Sequence, residues 1–72
     1  MQNWCVLVGK NVRRLRLQKG LTQEELAFEA EIDLTYIGGI ERGERNVSLL
    51  TLVKISECLN CDISIFTNDI MK

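Results

Sequence analysis

Arg42, Arg45 and Asn46 follow closely on a segment that carries Leu34, Thr35 and Tyr36. Guanidinium and amide groups donate hydrogen bonds to anions, phosphate foremost, while small hydroxyl and apolar side chains suit the edges of bases. Gln23, at the start of an earlier segment, adds one more amide. Material for proton transfer is missing: the chain has no histidine, so neither Ser-His nor Cys-His pairing is available, and it has no glycine-rich phosphate loop. No enzyme is expected. Cys58-x-x-Cys61 has ligand-type residues, but a structural zinc site takes four ligands and only Cys5 remains. The thiols read as small apolar groups, with no metal and no cofactor.

Two helix starts, eleven residues apart, position these groups. Thr22 is a good N-cap, and Glu25 completes a capping box with Leu21 and Leu26 as the apolar staple. Asp33 repeats the arrangement, flanked by Ile32 and Ile37. Two short helices with so little chain between them make a helix-turn-helix, whose second helix can enter a DNA major groove. The spacing predicts a motif over about 22–42 and a sequence-specific DNA-binding protein.

The helical periodicity continues on both sides and predicts an all-α chain of five helices without strands. The first runs from about Asn3 or Trp4 to Gln18, with Cys5, Val8, Val12 and Leu15 inward and Gly20 as its stop. The second covers about Gln23–Ala30 and the third about Leu34–Arg42, with Gly43 ending it. Ser48 caps a fourth, about Leu49–Leu59, whose buried stripe is Leu52, Val53, Ile55 and Leu59. Asn60 breaks it, and Asp62 caps a short fifth helix from Ile63 to about Asn68. If Glu31, in the turn, adopts a positive φ, it costs on the order of 1 kcal/mol, and its carboxylate lies near the groove-facing side. Gly38 and Gly39 each weaken the third helix by roughly 1 kcal/mol relative to alanine. Either the helix needs a close approach there, to DNA or to the second helix, or the weakness is simply tolerated.

With 72 residues the chain is one small domain that needs efficient packing or a partner chain. An apolar fraction of 46% argues against disorder, and no run is long enough to span a bilayer. The N-terminal apolar patch lacks a basic region before it, so no signal peptide is expected. Three cysteines, an odd number, suit reduced thiols and a cytoplasmic protein. The net charge of −1 hides a segregation: five basic groups and no acid in residues 10–19, five acids and no base in 24–33. That pattern permits one positive face and another that repels DNA, or simply two solvated helix faces.

Residues 10–66 resemble the Cro/CI-type (XRE-like) helix-turn-helix family in the stretches KGLTQEELA, TYI-x-x-IERGERN and SLLTLVKI. Within it the chain is most similar to small single-domain regulators, including controller proteins of restriction–modification systems. The resemblance implies a compact lambda-repressor-like fold and a DNA-binding set of Gln23, Leu34, Thr35, Tyr36, Gly39, Arg42, Arg45 and Asn46. Gln23 would meet a phosphate at the positive end of its helix. Thr35 and Tyr36 would lie on the first exposed turn of the recognition helix. Related controllers often carry an arginine where Leu34 stands, and leucine offers only apolar contact. Tyr36 also reads as a half-buried aromatic, and Arg42 as a solvated one. Arg16 and Glu41 each lie four residues after an inward position, and the resemblance implies a structural ion pair between them. Ile63, Ile65, Phe66, Ile70 and Met71 exceed what a short terminal segment can bury, so the 62–72 region is expected to form a homodimer over a palindromic operator. A DNA-binding antitoxin is the other reading. No membrane and no small-molecule ligand are expected.

Overall fold

The computed structural model describes residues 3–68, which form α1 (Trp4–Gln18), α2 (Gln23–Ala30), α3 (Leu34–Glu41), α4 (Leu49–Leu59) and a 3-10 helix (Ile63–Thr67). No strand occurs among the described residues. Two boundaries differ from expectation. The fifth element is a 3-10 helix of five residues rather than an α-helix, and the Ile65 amide closes an i to i+3 bond to the Asp62 carbonyl at 3.1 Å. The third helix stops at Glu41, leaving Arg42 as its C-cap. Ile70 and Met71, expected in the dimer surface, lie outside the described residues.

Side-chain caps open every element. Asn3 accepts from the amides of Cys5 and Val6 at 3.1 and 3.3 Å. Thr22 and Glu25 form the reciprocal box at 3.0 and 2.8 Å. Asp33, Ser48 and Asp62 accept from Tyr36, Thr51 and Ser64 respectively. The Ser64 amide holds the Asp62 carboxyl below the ordinary range.

All four α-helices end by the same device. A residue in the left-handed region follows the last turn, and the next amide bonds five residues back. Gly20 and Gly43 supply positive φ after α1 and α3, while Glu31 (φ 58°) and Asn60 (φ 55°) do so after α2 and α4. The returning amides are Leu21 to Arg16, Ile32 to Ala27, Glu44 to Gly39 and Cys61 to Ser56, at 2.9–3.1 Å.

The core gathers Val8, Val12 and Leu15 of α1, Leu26, Ala27 and Ala30 of α2, Ile37 and Ile40 of α3, Ile55 and Leu59 of α4, and Phe66. Leu21, Ile32, Ile63 and Ile65 pack half-buried against it. Leu52 and Val53 are only half-buried, and Ser56 takes the inward place on α4. Two joints had no local signal. A Cβ on Gly9 would collide with the backbone carbonyls of Ile40 and Glu41, so α1 and α3 meet at that glycine. Asn11, fully buried, donates its amide to the carbonyls of Phe66 (2.8 Å) and Asn68 (2.9 Å), tying the 3-10 turn to α1.

Candidate nucleic-acid interface

The site is assembled around α3. Its first turn leaves Leu34 and Thr35 exposed, because Asp33 caps from below and the inward positions are Ile37 and Ile40. Neither side chain has a hydrogen-bond partner within the described chain that would withdraw it. Tyr36 differs: its ring is half-buried against the core and its hydroxyl donates to the Asn46 carbonyl at 3.1 Å. Tyr36 therefore fastens the loop after α3 to the helix itself.

Asn46 is exposed and fastened a second time. Its Oδ1 accepts from the Cys5 thiol at 2.9 Å, leaving the amide nitrogen as the side chain's outward donor. Cys5 is thus half-buried and engaged with the loop rather than set in the core. Cys58 and Cys61 are half-buried too, and burial raises both thiol pKa values. No cluster of three or more metal-ligating side chains occurs among the described residues.

Gln23 opens α2 and donates to Glu41 Oε1 at 3.0 Å. Glu41 also receives Arg16 Nε at 2.7 Å and Arg16 Nη2 at 3.0 Å, a bidentate pair that closes a three-residue network. Arg16 reaches the Leu21 carbonyl as well, at 2.7 Å. The α2 N-terminus is so held against the α3 C-terminus by side chains of α1, α2 and α3 together. Arg42, exposed, pairs with Glu44 at 3.1 Å. Arg45 is exposed and lies across Gly39. The glycine pair meets arginine side chains: a Cβ on Gly38 would stand 3.0 Å from Arg42 Nη1, and one on Gly39 2.6 Å from Arg45 Cγ. The nearest part of α2 to Gly38 is Gln23 Oε1, at 3.7 Å from such a Cβ.

The structure thus brings Gln23, Gly39, Arg42, Arg45 and Asn46 together at the C-terminal half of α3 and the loop after it, with Leu34 and Thr35 at the start of the helix. Three other acidic side chains, Glu29, Glu31 and Glu57, line a groove between α2 and α4 with Lys54 and Cys58. No described helix is long and apolar enough to cross a membrane. Sequence reasoning missed Asn11, Gly9 and the Cys5–Asn46 bond. Only the polarity of Asn11, placed one residue before inward Val12, hinted at the first.

Known proteins resemble this chain in sequence and in fold. A family described as Helix-turn-helix matches residues 12–66. The control protein C.BamHI of Bacillus amyloliquefaciens is 53% identical over 58 residues, covering 79% of this chain and 72% of its own. The control protein C.MunI of a Mycoplasma species is 43% identical over 73 residues, covering 100% and 99%. Among solved structures, the restriction-modification controller protein C.AhdI of Aeromonas hydrophila superposes with a TM-score of 0.83 at 44% identity, covering 86% of this chain and 94% of that one.

Proposed function

The chain belongs to the XRE-like helix-turn-helix family of transcription regulators, and from that premise we propose that it reads a specific operator with α3 as its recognition helix. The observation that carries this reading is the first turn of α3, where Leu34 and Thr35 are exposed to solvent. Thr35 would touch a base edge, by hydroxyl or by methyl against a thymine methyl, and Leu34 would add apolar contact. Gln23, Arg42, Arg45 and Asn46 would hold phosphates on either side and so set the depth and register of the helix in the groove. Tyr36 serves the reading by holding Asn46 in place.

A dimer follows from the same reading. Ile63 and Ile65 remain half-buried after Phe66 has filled the core, and a second chain would cover them. Two recognition helices would then stand about 34 Å apart over a palindromic site. The control and controller proteins it resembles favour a regulator of that kind, working where the cell's DNA is. The test is selection of duplexes from a random pool, followed by sedimentation of the complex. A recovered inverted repeat bound by two chains is expected. Recovery of no common sequence would overturn the reading, and one chain per site would overturn the dimer.

A further inference from the structure

We propose that Gly39 positions Arg45: the missing side chain is a seat in which the arginine stem lies, holding its guanidinium beside α3. The inference rests on the DNA-binding reading above and deepens it. Three observations meet here. Gly39 sits in the middle of α3, where glycine weakens a helix relative to alanine. The three heavy atoms nearest to a Cβ at this position, Cγ, Nε and Cδ at 2.6, 3.4 and 3.6 Å, all belong to Arg45. Gly39 is nonetheless buried while Arg45 is exposed, so the arginine covers the helix and faces solvent with its outer side.

The loop is built to bring the stem there. Gly43 turns the chain in the left-handed region at φ 76°, and the Glu44 amide returns to the Gly39 carbonyl at 2.9 Å. Arg45, the next residue, is thereby delivered onto the same glycine. Tyr36 and Cys5 fasten Asn46 directly after it. An arginine held on both sides of its own backbone has less freedom to lose on meeting a phosphate, which favours binding. Gly38 does not share this role, because a Cβ there meets the far ends of two flexible side chains, Arg42 at 3.0 Å and Gln23 at 3.7 Å, which can move aside.

The experiment compares Gly39→Ala, Arg45→Ala and the double variant with the parent chain. Thermal unfolding is followed for each, together with binding to a mixed-sequence duplex of about three helical turns between roughly 50 and 200 mM salt. Phosphate contacts do not depend on sequence, so no operator is required. Gly39→Ala is expected to melt no lower than the parent, yet to bind roughly three- to tenfold more weakly with a flatter salt dependence. In the Arg45→Ala background the same change should cost nothing further. Equal losses in both backgrounds would overturn the proposal, since Gly39 would then act without Arg45; unchanged binding by Gly39→Ala would do so too. Should Gly39→Ala unfold, Arg45→Ala must restore folding, and a double variant that stays unfolded also overturns it. Failure of the parent chain to bind the duplex would instead remove the DNA-binding reading on which the proposal stands.

Discussion

Arg16 Nε lies 2.7 Å from Glu41 Oε2, with only 8% and 2% of the two side chains exposed. The pair joins the last turn of α1 to the last residue of α3, and Gln23 completes it from the start of α2. Removing one partner leaves a buried charge uncompensated, at a cost of roughly 3–5 kcal/mol. That is a large share of the stability of a domain this small. Glu41→Gln should therefore lower the urea midpoint sharply, whereas Glu24→Gln, on an exposed site, should scarcely move it. Equal and small shifts at both positions would contradict the burial.

Glu31 holds a left-handed conformation, φ 58°, that glycine adopts freely. Glu31→Gly should raise stability by about 1 kcal/mol, or by about 4–8 °C in melting temperature for a domain of this size. Asn60→Gly should gain less, because asparagine tolerates the same region better than glutamate. A loss of stability at Glu31→Gly would show that its side chain contributes more than the backbone costs.

Asn11 ties the 3-10 turn to α1 through two side-chain hydrogen bonds. Asn11→Ala strands the Phe66 carbonyl in a buried setting and should cost about 1–3 kcal/mol. Asn11→Asp should cost more at neutral pH: one carboxylate oxygen keeps the Arg14 guanidinium, but the other would face the two carbonyl oxygens, and acidification toward pH 4 should recover part of the difference. Denaturant titrations at two pH values decide this. Identical losses at both pH values would mean that the residue faces solvent.

Burial, the Glu29 hydrogen bond and the Glu29 charge, in that order, raise the Cys58 thiol pKa above its ordinary 9.0. A raised pKa leaves less thiolate, the reactive form, at pH 8. Cys58 should alkylate more slowly than the same residue in the denatured chain, and Glu29→Gln should speed it. The sign for stability follows: an acid whose pKa is raised by folding destabilises the fold only once the unfolded thiol ionises. Stability should thus be unaffected by this group near neutrality and fall as pH climbs past about 9. Faster alkylation in the folded chain would refute the assignment.

Positioning and reading should fail differently. Arg45→Ala should weaken operator and scrambled duplex alike and reduce the salt slope by about one per half-site. Thr35→Ala should leave the slope unchanged and cost roughly 1–3 kcal/mol at one base pair of each half-site. Salt titrations on the two duplexes measure both. Equal losses at Thr35→Ala on operator and scrambled DNA would move the reading role to another residue, Tyr36 first.

Much of the fold was legible because its signals are local. A cap, the amide that donates to it and the helix it opens lie within four residues, so Thr22–Glu25, Asp33 and Ser48 announce themselves, as do Gly20 and Gly43 at the helix ends. At Glu31 the short gap between two capped helices called for a turn, but only the fold decided that this residue takes the left-handed conformation. The exposed start of α3 followed from which face its isoleucines must bury. Other features depend on how helices cross, and no spacing along the chain encodes that. Asn11 finds acceptors more than fifty residues away, Gly9 touches α3 backbone, and Cys5 reaches Asn46 only because α1 passes the loop after α3. The length of the last element was likewise decided in three dimensions, where burial of Phe66 and the Asn11 amide suffice to hold a single 3-10 turn. The glycine pair shows the division most clearly. Its presence in a helix called for a close neighbour, but only the returning loop determined that the neighbours are the arginines themselves.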